Sequence, residues 1–136
     1  MKFWLIKSEP GTYSIDDLKK DGKTSWNGVR NYQARNFMRD EMKKGDLALF
    51  YHSNAEPPGV AGIARIAKEG YKEKDVWVMV DVEFVERFER FVPLEELKAS
   101  QRLAGMLVTK RGMRLSVQPV DKNHFDEVVR LGTARV

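Results

Sequence analysis

The sequence predicts an α+β domain built on a small, curved or barrel-like mixed sheet of five or six strands, flanked by short helices. Three observations lead there. Short apolar or alternating runs recur along the chain and read as strands, among them Phe3 to Lys7, Leu47 to Ser53 and Val76 to Phe88. The helical patterns between them are short and do not alternate regularly with the strands, which argues against a doubly wound parallel sheet. The 136 residues, 42% hydrophobic and 32% charged, have the make-up of one soluble domain, 1–136, able to bury roughly two-thirds of its unfolded surface.

The elements follow in order. Phe3 to Lys7 is a short strand ended by Pro10-Gly11. Ser14-Ile-Asp-Asp17 has the form of a capping box and opens a helix to about Lys20, with Ile15 and Leu18 as its apolar face and a stop near Gly22. A loop carrying Trp26 comes next. A second helix opens at Asn31 and runs to about Lys44, where Ala34, Phe37, Met38 and Met42 recur at helical spacing and Gly45 is the natural stop. Leu47 to Ser53 is nearly continuous apolar and aromatic sequence, a buried strand.

Asn54 to Gly59 is a Pro- and Gly-containing turn, followed by a strand from Val60 to Ala67 in which Gly62 permits a bulge or a close backbone approach. Gly70 to Asp75 reads as a polar link. Val76 to Phe88 is a long strand with Val76, Val78, Val80, Val82 and Phe84 on one face. Pro93 starts a short helix through Leu94 and Leu97. Met106 to Thr109 and Leu115 to Val120 read as two further strands around Lys110-Arg-Gly112. Asp121 caps a terminal helix packed through Phe125, Val128 and Val129.

Composition narrows the function classes. The absence of cysteine excludes disulfides and thiolate metal sites. The N-terminal apolar run, Phe3 to Ile6, falls short of the about 7–15 residues of a signal peptide, and no run approaches the ~20 needed to cross a bilayer. A cytoplasmic protein is expected, nuclear if the source is eukaryotic, with no membrane partner. The net charge of +4 and pI near 9.3 lean mildly towards polyanionic partners.

The most informative stretch is Trp26-Asn-Gly-Val-Arg-Asn-Tyr-Gln-Ala-Arg-Asn36. A flat aromatic, amide groups and guanidinium groups together can hold a planar polar ring beside a phosphate. A helix start needs none of these except its Asn cap. This stretch, with Lys7-Ser-Glu-Pro10, Phe50-Tyr-His-Ser-Asn54, Pro58-Gly-Val-Ala-Gly62 and Arg114-Leu-Ser-Val-Gln-Pro119, resembles the signature blocks of the EVE domain family, in family order and across nearly the whole chain. The resemblance implies a PUA-like fold, a curved pseudo-barrel flanked by helices. It also implies kinship with YTH, ASCH and related base-recognising domains, and a role as a non-catalytic reader of modified bases in DNA or RNA. One departure stands out. Many EVE proteins carry a longer insert rich in Asp, Pro and Tyr between Tyr71 and Trp77, where this chain has only Lys-Glu-Lys-Asp-Val. Either a ligand contact made through that insert elsewhere is absent here, or the segment is missing from the sequence as it stands.

Base recognition needs an aromatic wall, hydrogen-bonding groups at the base edge and cations for the backbone. Trp26 is the candidate wall, similar to the loop Trp of YTH domains; the plainer reading is a core Trp beneath a loop. Ser8 and Asn31 are candidates for edge or phosphate contacts, with helix capping as the other reading of Asn31. Arg30 supplies a guanidinium beside Trp26. Tyr32, Arg35, Arg39 and Lys43 share one helix edge. Function is favoured for Tyr32 and Arg35, a solvated flank for Arg39 and Lys43.

Along the Leu47 to Ser53 strand Phe50 and His52 point one way, Tyr51 and Ser53 the other. The polar tips of Tyr51 and Ser53 suit a ligand wall, and His52 reads as a neutral core histidine. Lys110, Arg111 and Arg114 form a second basic cluster on a turn; Trp4 and Trp77 read as packing residues.

The competing readings are an enzyme acting on a nucleotide or nucleic acid, and a protein-interaction module. Catalysis would need a nucleophile, a base and an orienting group. The chain has only His52 and His124, no Walker loop and no H-x-x-x-H. Asp16, Asp17, Glu95 and Glu96 sit at helix starts, where carboxylates suit the macrodipole. No catalytic residue, metal or cofactor is therefore expected.

Overall fold

The computed structural model describes residues 1–133. Six strands form one mixed sheet: β1 (Phe3–Ser8), β2 (Lys23–Trp26), β3 (Leu47–His52), β4 (Gly59–Lys74), β5 (Trp77–Pro93) and β6 (Val117–Val120). Their spatial order is β2-β5-β4-β3-β1-β6. Only β1 and β3 run parallel; every other pairing is antiparallel. The helices α1 (Ile15–Asp21), α2 (Tyr32–Asp40), α3 (Leu94–Ala99) and α4 (Lys122–Thr133) flank the sheet. Six strands and four helices in an unclosed mixed sheet are the expected PUA-like α+β architecture. Among the described residues no helix is long and apolar enough to cross a membrane.

Alternation along the strands builds two cores. Trp4 and Ile6 of β1, Ala48 and Phe50 of β3, and Val80 and Val82 of β5 bury into one cluster with α1, α2 and Trp26. Their neighbours Leu5, Leu49 and Tyr51 point to the opposite face and pack with Leu97, Phe125 and Val128 of α3 and α4. The capping box of α1 is formed: Asp17 N–H donates to Ser14 Oγ at 3.1 Å, and Ser14 N–H to Asp17 Oδ2 at 2.9 Å. Gly62 sits where β4 shifts register against β3 and β5, and a Cβ there would overlap Glu86 O of β5. This is the close approach and bulge the sequence suggested.

Four elements differ from the sequence expectation. Lys23–Trp26 is a strand, antiparallel to β5 with Trp26 opposite Val80, rather than part of a loop. The polar Gly70–Asp75 segment is no link; it carries β4 out to Lys74, paired with Trp77. Met106–Thr109 is not a strand, because Thr109 N–H and Lys110 N–H bond back to Met106 O and Leu107 O and close a 3-10 turn. Finally, α2 ends at Asp40 instead of near Lys44.

Asp46 explains that early stop. Its carboxylate is buried, 3% exposed. It accepts from Lys43 N–H at 2.9 Å, Trp4 Nε1–H at 3.0 Å and Lys2 N–H at 3.1 Å. It thereby folds the residues after α2 into a turn and pins them to the start of β1. Replacing it leaves a buried indole N–H and two backbone donors without an acceptor. Asp46→Ala is expected to lower the unfolding free energy by roughly 2–4 kcal/mol in urea denaturation. A loss too small to measure would mean that water substitutes for the carboxylate.

Candidate functional site

The sheet does not close, and its open seam is a cleft of about 470 Å³, within the roughly 300–1,000 Å³ of small-molecule pockets. One wall is the free edge strand β2, through Thr24, Ser25 and Trp26. The other is the end of β1, through Lys7 and Ser8, with Ser116 ahead of β6. Thr12 and Tyr13, before α1, and Asn27 to Asn31, before α2, complete the lining. No Asp, Glu or His contributes to it.

Trp26 is the apolar floor. It is 8% exposed and belongs to the core cluster. Its indole meets the Phe50 ring edge-on at 5.5 Å and 80°, and the Tyr13 ring at 6.5 Å and 79°. The two readings of Trp26 from sequence are therefore not exclusive: the ring is anchored in the core and also lines the cleft. Its polar chain neighbours reflect the cleft side, and β2 hides the packing side from a sequence reading.

Ser8 Oγ–H donates to Tyr13 O at 2.6 Å, which leaves the oxygen's acceptor capacity towards the cleft. Tyr13 hydroxyl donates to Asp21 Oδ2 at 2.8 Å. Burial first, and then that carboxylate, push the Tyr13 phenol up to about 12, so it stays protonated. Lys7 was only part of a sequence block, yet it lines the cleft, as Arg30 does. Its Nζ reaches Met113 O at 3.4 Å and lies 5.7 Å from the Tyr51 ring centroid. Burial holds its ammonium below the ordinary 10.5.

The loop before α2 is stitched to the β4–β5 hairpin. Glu73 accepts from Gly28 N–H at 2.9 Å, and Gly28 takes a φ of 79° that suits glycine. The same carboxylate pairs with both Arg30 terminal nitrogens, Nη2 to Oε2 at 2.6 Å and Nη1 to Oε1 at 3.2 Å. This pair holds Glu73 below the usual carboxylate range. Arg30, expected as an unengaged cation, is thus largely neutralised. Asn31 Oδ1 caps α2 by accepting Ala34 N–H at 3.0 Å. Its amide nitrogen, at the cleft edge, has no hydrogen-bond partner among the described residues.

Tyr32 and Arg35 lie outside the cleft, on the adjoining surface of α2. Arg35 donates to Val76 O at 2.9 Å and to Asn36 Oδ1 at 2.8 Å, with no carboxylate partner among the described residues. Tyr51 and Ser53 do not line the cleft. Strand parity turns Phe50 towards Trp26 and sends Tyr51 into the second core, while Ser53 N–H bonds Ser8 O at 2.9 Å and continues the β1–β3 ladder. Arg39 pairs with Asp40 at 2.7 Å, and Lys43, beyond the end of α2, sits 3.9 Å from Glu69. Lys110, Arg111 and Arg114 are exposed on their turn. Trp77 is no core residue; it stacks on Tyr32.

With this geometry in hand, relatives can be compared. A sequence model of the EVE domain matches residues 2–131. The chain belongs to the EVE domain family. Human thymocyte nuclear protein 1 is 41% identical to this EVE domain over 165 aligned positions, covering 94% of this chain and 72% of that protein. Those positions outnumber the 136 residues of this EVE domain, so the human protein carries additional residues within the aligned region. A solved structure of the human protein, in complex with DNA containing 5-methylcytosine, superposes with a TM-score of 0.89 at 40% identity and covers all of both chains. A Pseudomonas syringae structure reaches 0.90 at 39% identity, covering 95% of this chain and 98% of its own. A YTH domain from Zygosaccharomyces rouxii, at 0.63 and 16% identity over 99% of this chain and 86% of that one, shares the fold.

His52, beneath the floor, accepts Ile15 N–H at 3.1 Å through Nε2, so its imidazole is neutral with the proton on the other nitrogen. Burial, the largest effect, holds it below its ordinary 6.5; Asp16 pulls it up and Arg87 pushes it down. The unfolded chain takes up this proton near 6.5 and the folded chain only at lower pH. The contribution to stability is therefore complete above that value and is lost as pH falls through it towards the folded one. The melting temperature is expected to drop between about pH 7.5 and about pH 5.5, and His52→Gln, whose side-chain oxygen can still accept, should flatten that drop. Equal slopes for both proteins would assign the drop to other groups.

Proposed function

We propose that this EVE domain reads a modified base in DNA or RNA, taking the base into the open seam over Trp26 without chemical change. The observation that carries the reading is the cleft itself: an indole floor walled by hydroxyls and amides, with a desolvated lysine, an arginine already paired with Glu73, and no acid or imidazole in the lining. Such a lining suits a neutral, flat, hydrogen-bonding ring attached to a phosphate. It lacks the carboxylate or imidazole pair that acid–base catalysis requires. The DNA complex of human thymocyte nuclear protein 1 supports a nucleic-acid partner. The roles follow from position. Trp26 meets the base face. Ser8 accepts and Asn31 donates at the base edge. Lys7 and the α2 N-terminus favour the phosphate, and Arg35 holds the backbone outside.

Gel shifts at fixed salt, with single- and double-stranded probes carrying cytosine or 5-methylcytosine, test the reading. Tighter retention of one modified probe, with the probe recovered intact, is expected. Equal affinity for every probe, or conversion of the probe to product, would overturn it. Trp26 is a poor test residue because its removal opens the core. Asn31→Asp is better: the side chain still caps α2 and suits its dipole, but the donor is gone and a negative charge faces the phosphate. An unchanged melting temperature with roughly tenfold weaker binding is expected. Unaltered binding would remove Asn31 from the edge-reading role.

Arg35, which forms no ion pair among the described residues, should displace a counterion on binding. Arg35→Ala is expected to flatten the slope of log affinity against log salt by about 0.9 for duplex or 0.7 for single-stranded probes. An identical slope would show that Arg35 touches no phosphate.

A further inference from the structure

We propose that Tyr32 and Trp77 form a second stacking surface, outside the cleft, for the base next to the one held over Trp26. The proposal rests on the base-reading function above and assigns it a second contact. Tyr32 is 61% exposed and Val76 53%. Tyr32 begins α2 and lays its ring on Trp77 at the start of β5, with centroids 4.9 Å apart and planes 30° from parallel. Neither ring belongs to either core cluster, and among the described residues the Tyr32 hydroxyl has no hydrogen-bond partner. Two stacked aromatics held at the surface by nothing in the core are a contact surface.

Charge indicates what this surface meets. The Arg35 guanidinium lies 5.1 Å from the Tyr32 ring centroid and the Arg30 guanidinium 5.3 Å from that of Trp77. Arg30 is balanced by Glu73, but among the described residues Arg35 bonds only the Val76 carbonyl and the Asn36 amide oxygen. Lys72 and Lys74, on the same hairpin, are exposed and form no ion pair among the described residues. Aromatic faces among uncompensated cations suit a nucleotide strand, because every base has a π-face and every nucleotide a phosphate.

Continuity sets the register. Arg30 and Asn31 line the cleft and Tyr32 is the next residue, so cleft and surface share an edge. Drawing one base into the cleft leaves its neighbour without a stacking partner. Tyr32 and Trp77 replace that partner, and Arg35 stands beside them at the level of the strand's phosphates.

The test measures fluorescence anisotropy with a short fluorescein-labelled DNA single strand carrying one central 5-methylcytosine, and with its unmodified counterpart. Tyr32→Ala should raise Kd for both probes by roughly tenfold and leave their ratio unchanged, since stacking here ignores base identity. Its melting temperature should match the wild type, as the ring is outside the core. Tyr32→Phe should restore the affinity and Tyr32→Leu should not. Unchanged affinity in Tyr32→Ala, or equal rescue by Leu and Phe, would overturn the stacking assignment while leaving the cleft reading intact. A change of oligomeric state on size exclusion with Kd unaltered would make the surface a protein contact and equally overturn it. Failure of the wild type to hold either probe would overturn the cleft reading and this inference together.

Discussion

The sheet curls until its two edges face the same space and then stops short of closing. Everything at the site depends on that. A closed barrel would consume both edges in hydrogen bonds and leave no cleft. Here β2 is only four residues long and pairs on one side alone, with β5. The opposite edge is β6, also four residues, paired only with β1. The register shifts around Gly62 bend β4 between its partners, so the curvature is made in the middle of the sheet and the gap appears at its ends. Side chains rather than backbone fill the gap. Trp26, packed edge-on against Phe50, is the side chain that ties gap to core. The cleft floor is therefore as immobile as the core beneath it, which is the preorganisation that recognition of a small rigid ring requires.

Charge is distributed so that the cleft and its rim differ. In the cleft most of the hydrogen-bonding groups are neutral hydroxyls and amides; of its two cations Lys7 is desolvated and Arg30 is paired with Glu73. At the rim Glu73 absorbs Arg30 and the Gly28 N–H. The acid sets the shape of the Asn27–Asn31 loop at the cost of one cation's free charge. Arg35, a turn further along α2, has no carboxylate partner among the described residues. The formal net charge of +4 is thus a poor guide to which cations meet a ligand, because ion pairing within the rim decides it.

Much of the fold was legible because the core follows simple periods. β1 and β3 were visible from their apolar runs, α1 from its capping box and the start of α2 from Asn31. The elements that escaped did so for different physical reasons. Lys23–Trp26 is too short and polar to read as a strand, and becomes one only because β5 lies beside it. The polar hairpin beyond Gly70 is held by its own ladder in solvent, so no hydrophobic pattern marks it. Met106–Thr109 has a strand's short apolar run, but its backbone bonds close locally. Of the site, the Trp26 stretch, Ser8 and Asn31 could be read because they lie in or beside chain segments that turn. The parity of Tyr51 and Ser53, the capture of Arg30 by Glu73 and the pairing of Trp77 with Tyr32 all depend on register between strands and helices, which one chain read alone does not contain.

The division of labour between stability and recognition follows from this geometry. Trp26 and Tyr13 face the cleft but are also tied into the fold, through Phe50 and Asp21 respectively, so the floor cannot change without disturbing the core. Asn31, Tyr32 and Arg35 carry no such debt. Asn31 needs only a capping oxygen, Tyr32 projects into solvent, and Arg35 bonds groups that water could satisfy. If the proposed function holds, substitutions in the first turn of α2 alter which base edge, neighbour or backbone is preferred while the indole floor is kept. On the proposed reading, the base face, common to all bases, is met by the rigid part of the molecule, and the features that distinguish bases by the part that can vary.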